Sequence, residues 1–378
     1  MDMQSTDEQR MLAESVTRFL GKEYKSGHGH ARANGDDGFD RAMWTRFADL
    51  GWLGIGVPEE HGGLGGGPIE TAILAEGFGR HLVVEPYLAT VVLGATLLRQ
   101  GGPRAASLLG KIAEGAHTFA LAHGEPRSRY DLAQVETLAK RGGSGFRLTG
   151  HKAVVLNGAE ADWLIVSART AGDGRDRNGI TLFLVPHDAA GLTLRPYRTA
   201  DGWRAAEVIL DSVTVGADTA IGAIGGGLPL IESAVDAALV ALSAEAVGAM
   251  SALIDQTREY LRTRVQFGVP IGSFQVLQHR LVDMFMAATL ARSTVEVAAR
   301  ALADPEESPR VQSRLAAAAK VQAGRAGKLV GQEAVQMHGG MGMTDELSVG
   351  RYFKRLTMID LTLGDADHHQ RRFADLRE

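Results

Sequence analysis

The feature that most constrains this chain is a double change in the spacing of its apolar residues, first near His117 and again after Ile221. A helix repeats its buried face every three to four residues and a strand every second residue, so each change of period marks a change of architecture. Upstream of His117, the segments Gln9 to Tyr24, Arg41 to Leu50, Leu88 to Leu98 and Arg104 to Glu114 carry helical spacing, with Thr6 and Asp7 placed to cap the first. Between the two changes, the runs 119–123, 145–150, 152–158, 163–168, 180–186, 192–197 and 205–215 are short, apolar or alternating, and bounded by turn residues. So many short strands in roughly a hundred residues imply a compact β-barrel or sandwich. The polar stretch 171–179 is expected as an exposed loop. Downstream, Leu239, Leu242, Ala246, Met250 and Leu253 restore the helical period, and alanine-rich helices are expected over Leu277 to Leu302 and Arg310 to Met337. The chain therefore reads as α+β, with a helical domain over 1–115, a β-barrel over 116–222 and a helical domain over 223–378.

Composition narrows the classes of function. At 378 residues and 45% hydrophobic content, the chain can bury a large core. With a net charge of −5 and scattered Lys and Arg, neither nucleic acid nor an anionic membrane surface is an expected partner. The absence of cysteine excludes disulfides, thiolate metal sites and cysteine nucleophiles, and fits a reducing compartment. The N-terminus MDMQSTDEQRML is acidic and amphipathic, and no apolar run is expected to approach a membrane span, so a soluble cytoplasmic protein is expected. His368 and His369 lie near Asp365 and Asp367, but adjacent residues on a helix face apart and no third ligand is suitably spaced, so no metal site is expected. His28 and His30 are expected in a mobile loop.

Polar chemistry concentrates at two helix joints. In RVQFGVPIGSFQVLQ, the spacing puts Arg264 and Phe267 on one face of a last helical turn, with Gln275 early in the next helix. In EAVQMHGGMGM, Gln336 is followed by Gly339, Gly340 and Gly342, whose bare backbone a ligand can approach closely. Each alone is a helix end. Together they resemble the acyl-CoA dehydrogenase family, in which an Arg, a Phe three residues on and a Gln eight beyond the Phe contact the pyrophosphate side of FAD, and a Gln-x-x-Gly-Gly-x-Gly segment lines its adenine side. The resemblance covers essentially the whole chain and includes the turn VPEEHGGLG. It implies the acyl-CoA dehydrogenase fold: an N-terminal helical domain, a central β-barrel and a C-terminal four-helix bundle. It also implies FAD contacts from Arg264, Phe267, Gln275, Gln336, Gly339 and Gly340, made across a subunit interface to the neighbour's flavin.

The implied reaction is α,β-dehydrogenation of an acyl-CoA thioester, in which a carboxylate takes the α proton and the β hydrogen leaves as hydride to flavin N5. An α proton beside a thioester is weakly acidic, so a base must stand within hydrogen-bond reach and donors must hold the developing enolate. The base is missing where the resemblance places it: the usual Glu falls on Leu363, and the alternative site, on the helix before Arg264, falls on Ala238, with Leu239 in place of the Arg that would follow. Neither side chain accepts a proton. Asp365 and Glu245 are the remaining candidates, with Asp367 also flanking the Leu363 position. Asp365 has helix capping as its simpler role, and Glu245 shares a helix face with Ala238 but lies two turns away, about 10 Å along the axis. Asp236, about 160° from that face, is expected in solvent or in a cap. The flavin-facing stretch, TEPGAGSD-like in the family, reads HGEPRSRYD here, with Arg127, Ser128 and Arg129 replacing its small residues. A second element, WITN in the family, reads VVLN, with Val154 for the stacking aromatic and Leu156 for the hydroxyl. His123 either contacts a ligand or is a hydrogen-bonded core residue.

Groups that the family supplies to its own flavin are thus missing, while groups that it supplies to a neighbour's flavin are present. The pattern implies a half-site subunit that works with a related dehydrogenase chain in a heterotetramer, with an electron-transfer flavoprotein as acceptor. The C-terminal stretch YFKRLTMIDLTLGDADHHQRRF is similar to the small subunits of such pairs, which oxidise bulky acyl-CoAs including steroid side chains and dicarboxylates. The alternatives are a self-sufficient homo-oligomer with a displaced base such as Asp365, or a non-catalytic acyl-CoA-binding protein.

Overall fold

The computed structural model describes residues 5–24 and 38–377, which divide into two compact units; His28 and His30 lie outside the described residues. One unit comprises the described residues of Arg32–Gly67 and Val84–Ala238. Its frame is a sheet of β1 (Phe119–Ala122), β2 (Leu138–Gly142), β3 (Gly145–Leu156), β4 (Trp163–Arg169), β5 (Ile180–Pro186), β6 (Leu192–Arg198), β7 (Arg204–Gly216) and β8 (Ala220–Ile221). The order is β6-β7-β3-β2-β4-β5-β8, with β1 paired parallel to β4 from Phe119↔Trp163 to Ala122↔Val166. No ladder joins β6 to β8 among the described residues, so the strands expected as a compact β-barrel or sandwich form an open sheet.

The runs 145–150 and 152–158 belong to a single strand, β3, whose antiparallel pairing with β7 slips between Leu148 and Gly150 and again between Lys152 and Val155. Val154 stands in the second slip at φ 53, a left-handed conformation that a β-branched residue rarely adopts. Strand β2 went unseen because only Ala139 of LAKRG is buried, which leaves no alternating apolar signal. Inward residues including Phe146, Leu148, Val166, Phe183 and Val208 form one apolar cluster, with the rings of Phe146 and Phe183 5.1 Å apart. Helical segments Arg41–Asp49, Leu88–Leu98 and Pro103–Ala113 complete the unit. Thr90 fixes the second of them to β1, its hydroxyl accepting from the Phe119 N–H at 3.0 Å and donating to the Phe119 carbonyl at 3.3 Å. The loop 171–179 is exposed as expected but pinned, because the Arg169 guanidinium donates to the carbonyls of Gly174, Asp176 and Asn178 at 2.8–3.1 Å.

The other unit, the described residues of Met1–Ala31, Pro68–Val83 and Leu239–Glu378, is helical. It contains Asp7–Glu23, Pro68–His81, the distal part of Gly227–Thr263, then Gln275–Ala303, Pro309–His338, Val349–Leu361 and Ala366–Asp375. Thr6 begins the first helix with a capping box: its hydroxyl accepts from the Gln9 N–H, and the Gln9 side chain accepts from the Thr6 N–H. The helices Pro68–His81 and Gly227–Thr263 cross at backbone contact. A Cβ on Gly79 would lie 1.8 Å from the Glu245 carbonyl oxygen, and one on Gly248 1.8 Å from that of Glu76. Only glycine fits at either position.

By length and composition alone, Gly227–Thr263 could cross a membrane, its best 18-residue window having a mean hydropathy of 1.8, which corrects the expectation that no apolar run approaches a span. Yet 83% of that window is buried inside the fold, the usual state of a core helix. On Gln275–Ala303, by contrast, Val282, Phe285, Met286 and Leu290 are exposed on one face at helical spacing. The reciprocal crossing predicts that Gly248→Ala destabilises the protein by about 1–3 kcal/mol through forced backbone displacement. A urea midpoint unchanged from the parent would contradict the crossing.

Candidate functional site

At the first helix joint the helix ends at Thr263, one residue before Arg264. Val265–Gln266 and Val269–Pro270 then pair as a small antiparallel hairpin. Its two loop residues, Phe267 at φ 54 and Gly268 at φ 81, both take the left-handed conformation that a two-residue hairpin turn of matching twist requires. The expectation that Arg264 and Phe267 share a helical turn is therefore corrected. Phe267 stands at the hairpin tip with its side chain 92% exposed, edge-on to Phe274 at 6.1 Å between ring centroids. Arg264 is exposed and has no side-chain partner among the described residues, while its carbonyl accepts from the Ile271 N–H at 2.8 Å and closes the base of the hairpin. Gln275 is the first residue of the next helix and is exposed.

At the second joint, Pro309–His338 ends at Gly339, whose φ of 58 and ψ of −138 suit only glycine. A Cβ on Gly339 or Gly340 would meet nothing within 4 Å, so the backbone there is open to a ligand; at Gly342 it would lie 2.8 Å from the Val335 carbonyl oxygen, which makes that glycine a packing requirement. Gln336 is exposed on the last turn. The two joints are tied together by Tyr260, one turn before Arg264. Its ring stacks on His338 at 4.4 Å, and its hydroxyl donates to the His338 carbonyl at 3.3 Å. Burial lowers the pKa of His338 and so favours a neutral, stackable imidazole. Sequence reasoning missed this pair, whose members lie far apart in the chain.

Leu363 also lies in a left-handed turn, at φ 59, before Gly364 at φ 113. The turn is fixed from beneath. His369 Nε2 contacts the Leu363 carbonyl at 2.9 Å, and the buried Lys320 ammonium donates to the carbonyls of Gly364 and, at 2.8 Å, Asp360. Burial pulls the Lys320 pKa down to about 8 against the attraction of Asp360 and Asp365, and pulls that of His369 down to about 3. Asp365 is the N-cap of Ala366–Asp375, its Oδ1 accepting from the His368 N–H at 2.8 Å. Glu245 is occupied by a buried bidentate ion pair, Arg355 Nε to Oε1 at 2.6 Å and Nη2 to Oε2 at 2.8 Å, with both side chains at most 8% exposed. Asp365 and Glu245 are thus engaged within the chain, while Asp367 is exposed in the first turn of Ala366–Asp375.

In the sheet unit, His123 is buried and its Nδ1 lies 2.9 Å from the Ser167 hydroxyl, the arrangement of a hydrogen-bonded core residue. Burial, then the nearby Lys152 charge, lowers its pKa to about 3. Lys152 is itself fully buried, 2.7 Å from Glu125, whose carboxylate also accepts from the Thr137 N–H and hydroxyl and from the Glu136 N–H. The alternation of β3 turns Lys152 inward, the signal that could have disclosed this pair. Arg127 and Arg129 are exposed, with Arg129 at φ 47, and Val154 is 58% exposed. Asp236, expected in solvent or a cap, is buried.

These groups can be tested against FAD, which when bound accepts hydride. An unpaired guanidinium at position 264 suits a phosphate, and the open glycine backbone at 339 and 340 suits close approach of a flat ring. The helical unit therefore fits the phosphate and adenine parts. The sheet unit does not offer the flavin ring a stacking aromatic at 154 or small residues at 127 and 129.

Fold and site together define a flavoprotein of helix, sheet and helix. Three family models match in that order: acyl-CoA dehydrogenase N-terminal domain over 6–115, middle domain over 120–213 and C-terminal domain over 225–375. The chain is 31% identical over 374 residues to the probable acyl-CoA dehydrogenase YngJ of Bacillus subtilis, covering 97% of each. Among solved structures it is similar to a variant of the Tcur3481–Tcur3483 steroid ACAD, with a TM-score of 0.87, 30% identity and coverage of 98% of this chain and 97% of that one. It is also similar to the ChsE4–ChsE5 complex of Mycobacterium tuberculosis, with a TM-score of 0.87, 27% identity and coverage of 99% and 98%. The chain belongs to the acyl-CoA dehydrogenase family, oxidoreductases of CH–CH groups that use FAD.

Two outcomes follow from the buried groups. Arg355→Met leaves the Glu245 carboxylate buried without its partner and is expected to lower stability by about 3–5 kcal/mol in denaturant titrations. His369 is protonated near its ordinary value in the unfolded chain but only near pH 3 when folded. Between these values the unfolded chain holds more protons, so the contribution is complete above about pH 6.5 and declines as pH falls, by up to ~1.4 kcal/mol per pH unit. The urea midpoint should therefore fall between about pH 7 and about pH 5.5, and fall less in His369→Gln.

Proposed function

We propose that this chain is the half-site subunit of a heteromeric acyl-CoA dehydrogenase, pairing with a related chain that holds the base and the flavin-ring pocket. One observation carries the proposal. The groups suited to FAD phosphates and adenine, Arg264 and the 339–340 backbone, are open and uncommitted, whereas position 363 bears leucine in a turn fixed by Lys320 and His369. With Asp365 spent on a cap and Glu245 on Arg355, neither of these two carboxylates is free to take an α proton. The likeness to a two-chain complex supports assembly with a related subunit.

In this proposal the chain contributes Arg264 to the pyrophosphate of the partner's FAD, Phe267 and Gln275 beside it, and Gln336 with the glycine backbone to the adenine. The partner supplies the carboxylate for an acyl-CoA substrate, and an electron-transfer flavoprotein reoxidises the flavin in the cytoplasm. The test is flavin content. Purified alone, the chain should retain little FAD; with its natural partner, roughly one FAD per two chains should be recovered and bleach with acyl-CoA under anaerobic conditions. In that heteromer Arg264→Ala should weaken FAD retention by roughly ten- to a hundredfold while the subunits still assemble. One FAD per chain, bleached by acyl-CoA in the absence of a partner, would instead establish a self-sufficient enzyme with a displaced base.

A further inference from the structure

A separate cavity in the helical unit takes no part in the flavin contacts. We propose that this cavity, of about 300 Å³, is a binding site for a medium-chain carboxylate, anchored by Arg300. Helices Asp7–Glu23, Pro68–His81, Gly227–Thr263 and Gln275–Ala303 wall it. Val16, Ile69, Ile73 and Val295 supply apolar lining, and guanidinium groups of Arg10, Arg80, Arg292 and Arg300 supply positive charge. The volume lies at the low end of small-molecule sites, and the mixture of apolar wall and convergent polar groups is what such sites share.

The arginines are not equivalent. Arg10 is paired with Asp7, Arg80 with Asp255 at 2.7 Å and Arg292 with Glu76 at 2.6 Å. Arg300 has no carboxylate within ion-pair distance among the described residues, and its Nε is shut away from solvent without an acceptor. Glu296 also lines the cavity and stands four residues earlier, the favourable order for a pair along a helix, yet makes none with Arg300. A guanidinium on a cavity wall without a carboxylate partner is open to one from a ligand. A ligand carboxylate satisfies it through charge-assisted hydrogen bonds, and the tail of the ligand covers Ile69, Ile73 and Val16. The apolar walls disfavour a bare inorganic anion, and with Arg10, Arg80 and Arg292 paired to Asp7, Asp255 and Glu76, Arg300 is, among the described residues, the lining cation left for a ligand anion.

The experiment is isothermal titration of the full chain, assembled as purified, with octanoate, octanol and octylamine. Octanoate is expected to bind, with octanol at least roughly tenfold weaker and octylamine silent. Arg300→Gln should weaken octanoate by roughly ten- to a hundredfold and leave octanol unchanged. Arg300→Lys, which keeps the charge but loses the planar fork, should fall between the two. Overturning results are no octanoate heat, equal affinity for octanoate and octanol, unchanged octanoate affinity in a folded Arg300→Gln, or displacement of octanoate by an acyl-CoA. The last would place the ligand at the thioester site. None of these readouts depends on bound flavin or on a partner chain, so the inference stands or falls apart from the half-site reading.

Discussion

Three helices of the helical unit meet at one residue, Glu245. Its carbonyl lies against Gly79 where Pro68–His81 crosses, and its carboxylate takes both arms of the Arg355 guanidinium from Val349–Leu361. Tyr352, on the same helix as Arg355, donates to the Arg80 carbonyl at 2.5 Å and repeats the link one turn away. A buried ion pair is weak as a source of net stability but strict in geometry, since moving either member leaves a charge without its partner in a poor solvent. Glu245 therefore fixes the register of three elements at once. The apolar helix faces supply the burial, and this node selects one arrangement among those the faces would allow.

The order of helix, sheet and helix could be read from the apolar period, and so could most strands, because their burial alternates or is continuous. Closure of the sheet could not. Whether end strands pair depends on tilt and stagger, which residue identity leaves open. Strand β2 and the inward-facing Lys152 show the same limit from two directions: a strand with one buried residue carries no pattern, and a lysine in an apolar run hides its partner Glu125 on another segment. At the 264–270 joint the residues were legible but their geometry was not. The pairing of Val265–Gln266 with Val269–Pro270 overrides the helical spacing of Arg264 and Phe267, and a phenylalanine at a left-handed position is a poor signal for a turn.

Of the seven non-glycine residues in left-handed conformations among the described residues, Leu82 and Ser212 lie outside the segments matched to the family's motifs and Asn157 lies within one. Arg129, Val154, Phe267 and Leu363 all fall in segments matched to flavin or substrate chemistry. Such a conformation costs on the order of 1 kcal/mol for an ordinary side chain. At 129, 154 and 363 the side chain departs from the family pattern. The backbone there is set by what surrounds it: the Lys152–Val155 slip for Val154, and Lys320 with His369 for Leu363. A scaffold of buried hydrogen bonds thus maintains a strained path whose side chains have changed chemistry.

The bare stripe of Val282, Phe285, Met286 and Leu290, together with the ring of Phe267, bears on how such a chain behaves before it meets anything else. Hydrophobic surface left in water is indiscriminate, attracting any similar surface at a rate that grows with concentration. The concentration reached during synthesis, as well as the depth of the folding well, therefore bears on how much of the chain stays in usable form.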